Sequence, residues 1–389
     1  MKAYKYTYLI LLTFIVMSCK QSFKPEVTTI NSNLLVVEGM INAGADSTII
    51  KLSRTVIIAN KNTAKPEIGA TVVVESDANE KYPLIEELPG KYAKLALNLN
   101  SNKKYRLSIK TKGGVSYLSD FVEAKITPPI DSVSWAAKND GVQLYANTHD
   151  ATNNTRYYRW EYVETWLFHA EYESRYISDG KKILDRDMNT QNIYTCWQSY
   201  KSSSIILGSS SKLENDVMYL SPLTFIPSTS EKIEEKYSIL VKQYALTKEA
   251  FGFWEKLKKN TESLGSIFDA QPSQLTGNIH NVNDPAEPVI GYISVGTTQQ
   301  KRIFIPKDKL PKWTTIYPYE CTTPTDTVWV TEPKTGSKLE DMLFHSFILV
   351  PLDPLYAKNG TTIIGHYGTT KQCGDCTIRG TNKKPDFWQ

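Results

Sequence analysis

Apolar and polar positions alternate with a period of two through much of the chain. Tyr105-Arg106-Leu107-Ser108-Ile109-Lys110 is a clear case. A side chain that recurs every second residue lies on one face of a strand, so this pattern predicts a half-buried β-strand. Leu34 to Val37, Ser47 to Leu52, Thr71 to Glu75 and Tyr92 to Leu99 are further β-rich runs, bounded by Gly, Asp and Pro. Lys112-Gly113-Gly114 closes a hairpin after the Tyr105 strand, and Asn139-Asp140-Gly141 marks another turn between two strands. In "RYYRWEYVETWLFHAEY", Tyr158, Trp160, Tyr162, Trp166 and Phe168 all fall on one strand face. That face is either an aromatic platform for stacking a flat ligand or sugar, or the inward side of a sandwich. "KYSILVKQYAL" is a further strand, and others are expected at Val289 to Ser294, Lys301 to Ile305 and Phe347 to Val350. Residues 178–216, rich in Ser, Asn, Lys and Asp, read as long loops around a short run near Cys196.

The period changes to a helical one only in "TKEAFGFWEKLKKNTESLGSIF". Ala250, Phe253, Trp254, Leu257, Thr261 and Leu264 recur at helical spacing, Thr247 can cap the start, and Gly265 supplies a stop. The spacing predicts a helix near 247–264, with its Trp-Phe stripe packed on a sheet.

The organisation follows from breaks in these patterns. "GATVVVESD", "LPGKYAKLAL" and "NKKYRLSIKTKGGVSYLSD" resemble the small transthyretin-like or carboxypeptidase-regulatory sandwich. Thr127-Pro128-Pro129 is a stiff extended spacer. The chain thus reads as a leader over 1–18, a polar tether over 19–32, a β-sandwich domain over 33–127 and a β-rich domain over 128–389. The fold class expected is mainly β, with one helical insertion in the larger second part.

The leader carries Lys2 and Lys5 ahead of an apolar run from Leu9 to Met17. That run is shorter than the roughly 20 residues a membrane-crossing helix needs, and has the length of a secretory signal. Val16-Met17-Ser18-Cys19 resembles the lipobox of bacterial lipoproteins, which implies that Cys19 is acylated and becomes the new N-terminus. The lipobox implies a lipid anchor, and a resemblance to an envelope lipoprotein family, carried by residues 245–296 and the C-terminal block, implies the outer membrane, with the surface face favoured over the periplasmic one. Forty-five basic residues against 41 acidic ones give a formal charge of only +4, and losing the leader removes Lys2 and Lys5. A nucleic-acid partner wants a strongly basic face and is not expected.

With Cys19 lipidated, Cys196, Cys321, Cys373 and Cys376 remain. An even number outside the cytoplasm points to two disulfides. Three pairings are open, and the sequence does not choose among them. Bonds from Cys196 and Cys321 to the terminal pair would tie down a tail otherwise prone to fray. The C-x-x-C of Cys373 and Cys376 precedes Thr-Ile-Arg-Gly and Asn-Lys-Lys-Pro, not the helix start of a thioredoxin-type site. A second knuckle for zinc is missing from the sequence pattern.

The block "ALTKEAFGFWEKLKKNTESLGSIFDAQPSQLTGNIHNVNDPAEPVIGYISVG", followed by "KRIFI" and the ending "CGDCTIRGTNKKPDFW", resembles a lipoprotein family of Bacteroidota catalogued as domain of unknown function 4249. Members are typically encoded beside TonB-dependent outer-membrane receptors. The resemblance implies a non-enzymatic accessory or ligand-capture partner of such a transporter, and carries over no catalytic residue. The loop "DAQPSQLTGNIHNVNDPAEP" offers Gln271, Gln274, Asn278, His280 and Asn281 as neutral donors and acceptors for a sugar, peptide or partner. The five histidines form no metal-binding spacing, and no cofactor or metal is called for by motif. A surface hydrolase using Asp269, Asp284 or Glu287 is the alternative, and a structural adhesin is a third reading.

Overall fold

A computed structural model describes residues 33–56, 65–178, 183–262, 275–317, 319–321, 327–329 and 349–389. The fold is mainly β. The first strands are β1 (Leu35–Asn42), β2 (Thr48–Arg54), β3 (Lys65–Pro66), β4 (Thr71–Ser76), β5 (Lys81–Leu88), β6 (Lys91–Lys94), β7 (Lys104–Lys110), β8 (Ser116–Ser119) and β9 (Val122–Glu123). Then come β10 (Ile130–Lys138), β11 (Gly141–His149), β12 (Tyr157–His169), β13 (Tyr176–Ser178), β14 (Ile183–Asp185), β15 (Thr195–Lys201), β16 (Ile206–Ser209), β17 (Val217–Pro227) and β18 (Lys236–Ala245). Helix α1 (Lys248–Glu262) is followed by β19 (Ile279–Asn281), β20 (Val295–Gly296), β21 (Thr298–Pro306), β22 (Thr327–Trp329), β23 (Leu349–Tyr356) and β24 (Ile363–Thr370).

Period-two alternation becomes burial as expected in β4 and β7, where Val72, Val74, Leu107 and Ile109 enter the core while Lys104 and Lys110 stay outside. The first sheet runs β19-β8-β7-β4-β5-β6-β2-β1-β20. Both ends of that order come from one late excursion of the chain. β19 pairs antiparallel with β8, and β20 pairs parallel with β1. Ile279, Val289, Ile293 and Val295 fill the same core as Leu35, Ile50 and Leu107. The backbone pairing therefore crosses the boundary expected at 127, and residues 279–296 close the first sheet like a strap. Val289 to Ser294 is not a strand of the second part. It crosses between the two edges, touching β1 through a bridge at Val36 and Ile290.

The remaining strands build a second core. β10-β11-β17 form one sheet and β15-β12-β18-β21 another, with β16 also on β12. The loops expected over 178–216 include β14, β15 and β16, whose short runs lack a clear alternation. Helix α1 begins where expected, with the Thr247 hydroxyl accepting from the Ala250 amide at 3.2 Å. Phe253 is buried against Tyr292, and the Arg159 guanidinium lies 4.2 Å from the Trp254 ring centroid. The helix is described as far as Glu262, so Leu264 and Gly265 lie outside the described residues.

Two disulfides join Cys196 to Cys376 and Cys321 to Cys373. Both partners of the terminal C-x-x-C are thus used to hold the tail. Beyond them Thr381 pairs with Trp197, and Trp388 is buried against Trp197 and Phe304. Among the described residues no helix is long and apolar enough to cross a membrane.

Candidate functional site

The segment joining the two cores, expected to be a stiff extended spacer, is clamped from both sides. The Thr127 amide donates to the Thr297 hydroxyl at 2.9 Å, while the Thr127 hydroxyl donates to the Thr297 carbonyl and accepts from the Ala245 amide. The buried Gln243 amide donates to the Pro128 carbonyl at 2.8 Å, and the Thr148 hydroxyl to the Pro129 carbonyl at 2.8 Å. Proline supplies no amide hydrogen, so a Pro-Pro pair offers only carbonyls, and each of these two finds a donor.

This clamped segment lines a cleft of about 910 Å³ between the strands of the first core and those of the second. The volume falls within the range of small-molecule sites. Its apolar part is Ile126, Pro128, Pro129 and Ala151, and Ile126 remains 56% exposed. Polar groups come from Ser101, Thr152, Asn154 and Gln299, with charged Glu123, Lys125, Asp131 and His149 beside them. A smaller cleft of about 240 Å³ adjoins it across Glu123 and is lined by Lys104, Phe121, Glu249, Asn278 and Tyr292.

Three local arrangements shape the larger cleft. His149, at the end of β11, places Nδ1 2.8 Å from the Asp131 carboxylate on β10, and that hydrogen bond and charge raise its pKa above the ordinary histidine value. Lys301 Nζ donates to the Asp131 carbonyl at 2.6 Å. Asp150 organises the next loop, accepting from the Thr152, Asn154 and Thr155 amides and from the Thr152 hydroxyl. Burial opposes its charge, but the hydrogen bonds from Thr152 and Thr155 hold its carboxyl below the usual range. Such a loop presents Thr152 and Asn154 on fixed backbone, which lowers the ordering cost of binding.

The residues singled out from sequence are distributed differently. Tyr158, Trp160, Tyr162 and Trp166 are all buried in the second core, which corrects the aromatic-platform reading. The Tyr158 hydroxyl donates to buried Asp216, and Trp160 Nε1 donates to Gln243 Oε1 at 2.8 Å. The four rings are spent on packing in this core and leave no stacking surface. Asn278 spends its amide on the Ile293 backbone, at 2.9 and 3.0 Å, and so acts as a mimic of a strand pair. Asn281 caps the following turn and donates to the Glu287 carboxylate, which also accepts from Tyr117. Asp284 accepts from the Ala286 amide. Asn278, Asn281, Asp284 and Glu287 are thus committed to holding the strap, and of the expected loop His280 is exposed, 3.5 Å from Asp120. Gln271, Gln274, Asp269 and Cys19 lie outside the described residues.

Sequence reasoning missed Asp131, His149, Thr152, Asn154 and Gln299. The signal for the loop was the run His-Asp-Ala-Thr-Asn-Asn-Thr from 149, dense in residues whose side chains bond their own backbone. Among the described residues, no group of three or more His, Cys, Asp or Glu side chains is placed to hold a metal ion.

No curated protein matches the chain. Among solved structures, a crystal structure of a Salmonella alpha-2-macroglobulin mutant aligns at 8% identity and a TM-score of 0.18, covering 79% of this chain and 16% of that one. The model of the family described as Domain of unknown function (DUF4249) matches residues 20–302, well over half the chain, and the chain belongs to that family.

Proposed function

We propose that the chain is a lipid-anchored protein of the outer membrane, attached through Cys19, that uses the cleft between its two cores for capture. It works beside a TonB-dependent transporter and presents a ligand to it or docks on its barrel. The observation that carries this reading is the cleft itself. It combines an exposed apolar floor at Ile126 with the fixed polar groups Thr152, Asn154 and Gln299. That mixture suits a polar neutral ligand or an extended peptide loop better than an anion, since Glu123, Asp131 and Asp150 surround it. The Val16-Met17-Ser18-Cys19 motif supports the anchor, and several acyl chains at about 0.8 kcal/mol per buried CH₂ hold firmly.

Copurification from detergent-solubilised envelopes tests it. The wild-type chain is expected to bring down a β-barrel transporter, and Ile126→Arg, which fills the cleft with a charge, to lose it. Repeated purifications that return no barrel overturn the transporter role. A second reading, surface hydrolysis of glycans or peptides, rests on the His149–Asp131 pair in the same cleft. Turnover on a substrate panel that disappears in His149→Ala would favour it over simple capture.

A further inference from the structure

Both disulfides end at one helical turn, where an α-helical turn over Lys371–Gly374 passes into a 3-10 turn over Cys376–Ile378. Cys373 and Cys376, separated only by Gly374 and Asp375, bond to Cys321 and Cys196 respectively. The turn is held against β23 and β24, where a Cβ on Gly374 would lie 2.7 Å from Thr369 Cγ2 and 3.1 Å from Val350 Cβ. The four cysteines differ in access. Cys196, Cys373 and Cys376 are buried, whereas Cys321 is partly exposed. A thiolate from solution therefore reaches one bond first, at the Cys321 sulfur, and the leaving group of that attack is Cys373.

Exchange rates depend on access and on the proximity of the attacking thiolate. A freed Cys373 has another disulfide sulfur, that of Cys376, three residues along the same turn. We propose that Cys321–Cys373 is the point of attack of a thiol–disulfide relay, in which one dithiol reductant opens both staples and the C-x-x-C pair keeps the surviving bond.

The steps balance. The first thiolate of the reductant attacks Cys321 Sγ, forming a mixed disulfide and expelling the Cys373 thiolate. Cys373 attacks Cys376 Sγ, forming the Cys373–Cys376 bond and expelling the Cys196 thiolate. The second thiol of the reductant then attacks its own mixed disulfide and releases Cys321. Two disulfides become one, the dithiol becomes a cyclic disulfide, and its two protons finish on Cys196 and Cys321. The tail beyond Cys376 then keeps only noncovalent contacts, among them those of Arg379 with Glu231, Thr381 with Trp197 and Trp388 with Phe304. Its departure would uncover Trp197 and Phe304, so the chain carries an aromatic surface that appears on reduction. The partner chemistry implied is a dithiol oxidoreductase.

The test treats the folded full chain with one molar equivalent of dithiothreitol, quenches in acid, alkylates and maps peptides. The relay predicts a species alkylated at Cys196 and Cys321 with Cys373 linked to Cys376. A one-disulfide species alkylated at Cys321 and Cys373, with Cys196–Cys376 intact, overturns it, as does a chain that stays fully oxidised. In Cys321→Ser/Cys373→Ser the buried Cys196–Cys376 bond has no relay and should survive the same treatment; its loss at the wild-type rate overturns the proposal. Should that variant not fold, glutathione on the wild-type chain replaces it. A glutathione adduct on Cys321 together with Cys373–Cys376 is then expected, and an adduct without that bond overturns the relay.

Discussion

Arg379 occupies the middle of a small buried construction that fixes the tail. Its guanidinium lies between the rings of Phe168 and Tyr319, at 4.5 and 4.4 Å, and donates twice to the Glu231 carboxylate at 2.7 and 2.9 Å. Burial pushes the Glu231 carboxyl above its ordinary range despite the pull of Arg379. Arg379→Met would leave that acid desolvated without a partner, and urea denaturation should show a loss of about 3 kcal/mol. Arg379→Lys should recover only part, because a single ammonium cannot bond Glu231 and also supply the second nitrogen that donates to the Tyr319 hydroxyl or the planar face against the two rings. His149 gives a prediction about pH. Its pKa is raised in the fold by Asp131, so the charged contact is complete below the ordinary histidine value and fades as pH rises through the raised one. NMR titration should place His149 above free histidine, and Asp131→Asn should bring it down.

Among elements, the strap over residues 279–296 depends on two glycines that let backbones touch. A Cβ on Gly277 would stand 1.8 Å from the Gly291 carbonyl oxygen, and Gly291, at φ +143°, would put one 2.1 Å from that of Val37. Gly291→Ala should cost about 2 kcal/mol or more. Hydrogen exchange should accelerate first at the Val37 and Ile41 amides, which donate to Ile290 and Ser294. This contact also marks where the sequence stopped being readable. β4, β7 and the β10–β11 hairpin were legible because alternation and turn residues are local properties. α1 was legible because its cap and stripe lie within one window. β19 and β20 have three and two residues and pair with strands more than 150 positions earlier, which no local pattern announces. The cleft was hidden for the same reason. Asp131 and His149 meet only through the pairing of β10 with β11, and Gln299 joins them only once β21 has docked. The aromatic stripe of β12 was visible, but its alternation is shared by core and platform alike.

At the scale of the whole molecule, the tail staples span unequal lengths of chain. Cys196–Cys376 has a sequence separation of 180 and Cys321–Cys373 one of 52. In the chain-entropy picture the longer is worth about 5 kcal/mol and the shorter about 4 kcal/mol. Cys196→Ser/Cys376→Ser should therefore lower the denaturation midpoint more than Cys321→Ser/Cys373→Ser. The sewing of the first sheet by a late piece of chain has its own consequence for biosynthesis. A ribosome that has released residues 33–127 has delivered every strand of that sheet except its two borders. Until some 150 further residues arrive, β1 and β8 present bare hydrogen-bonding rims of the kind that recruit neighbouring chains. Residues 33–127 made alone should therefore clump, with sedimentation as the readout, whereas a chain extended through residue 296 should stay dispersed.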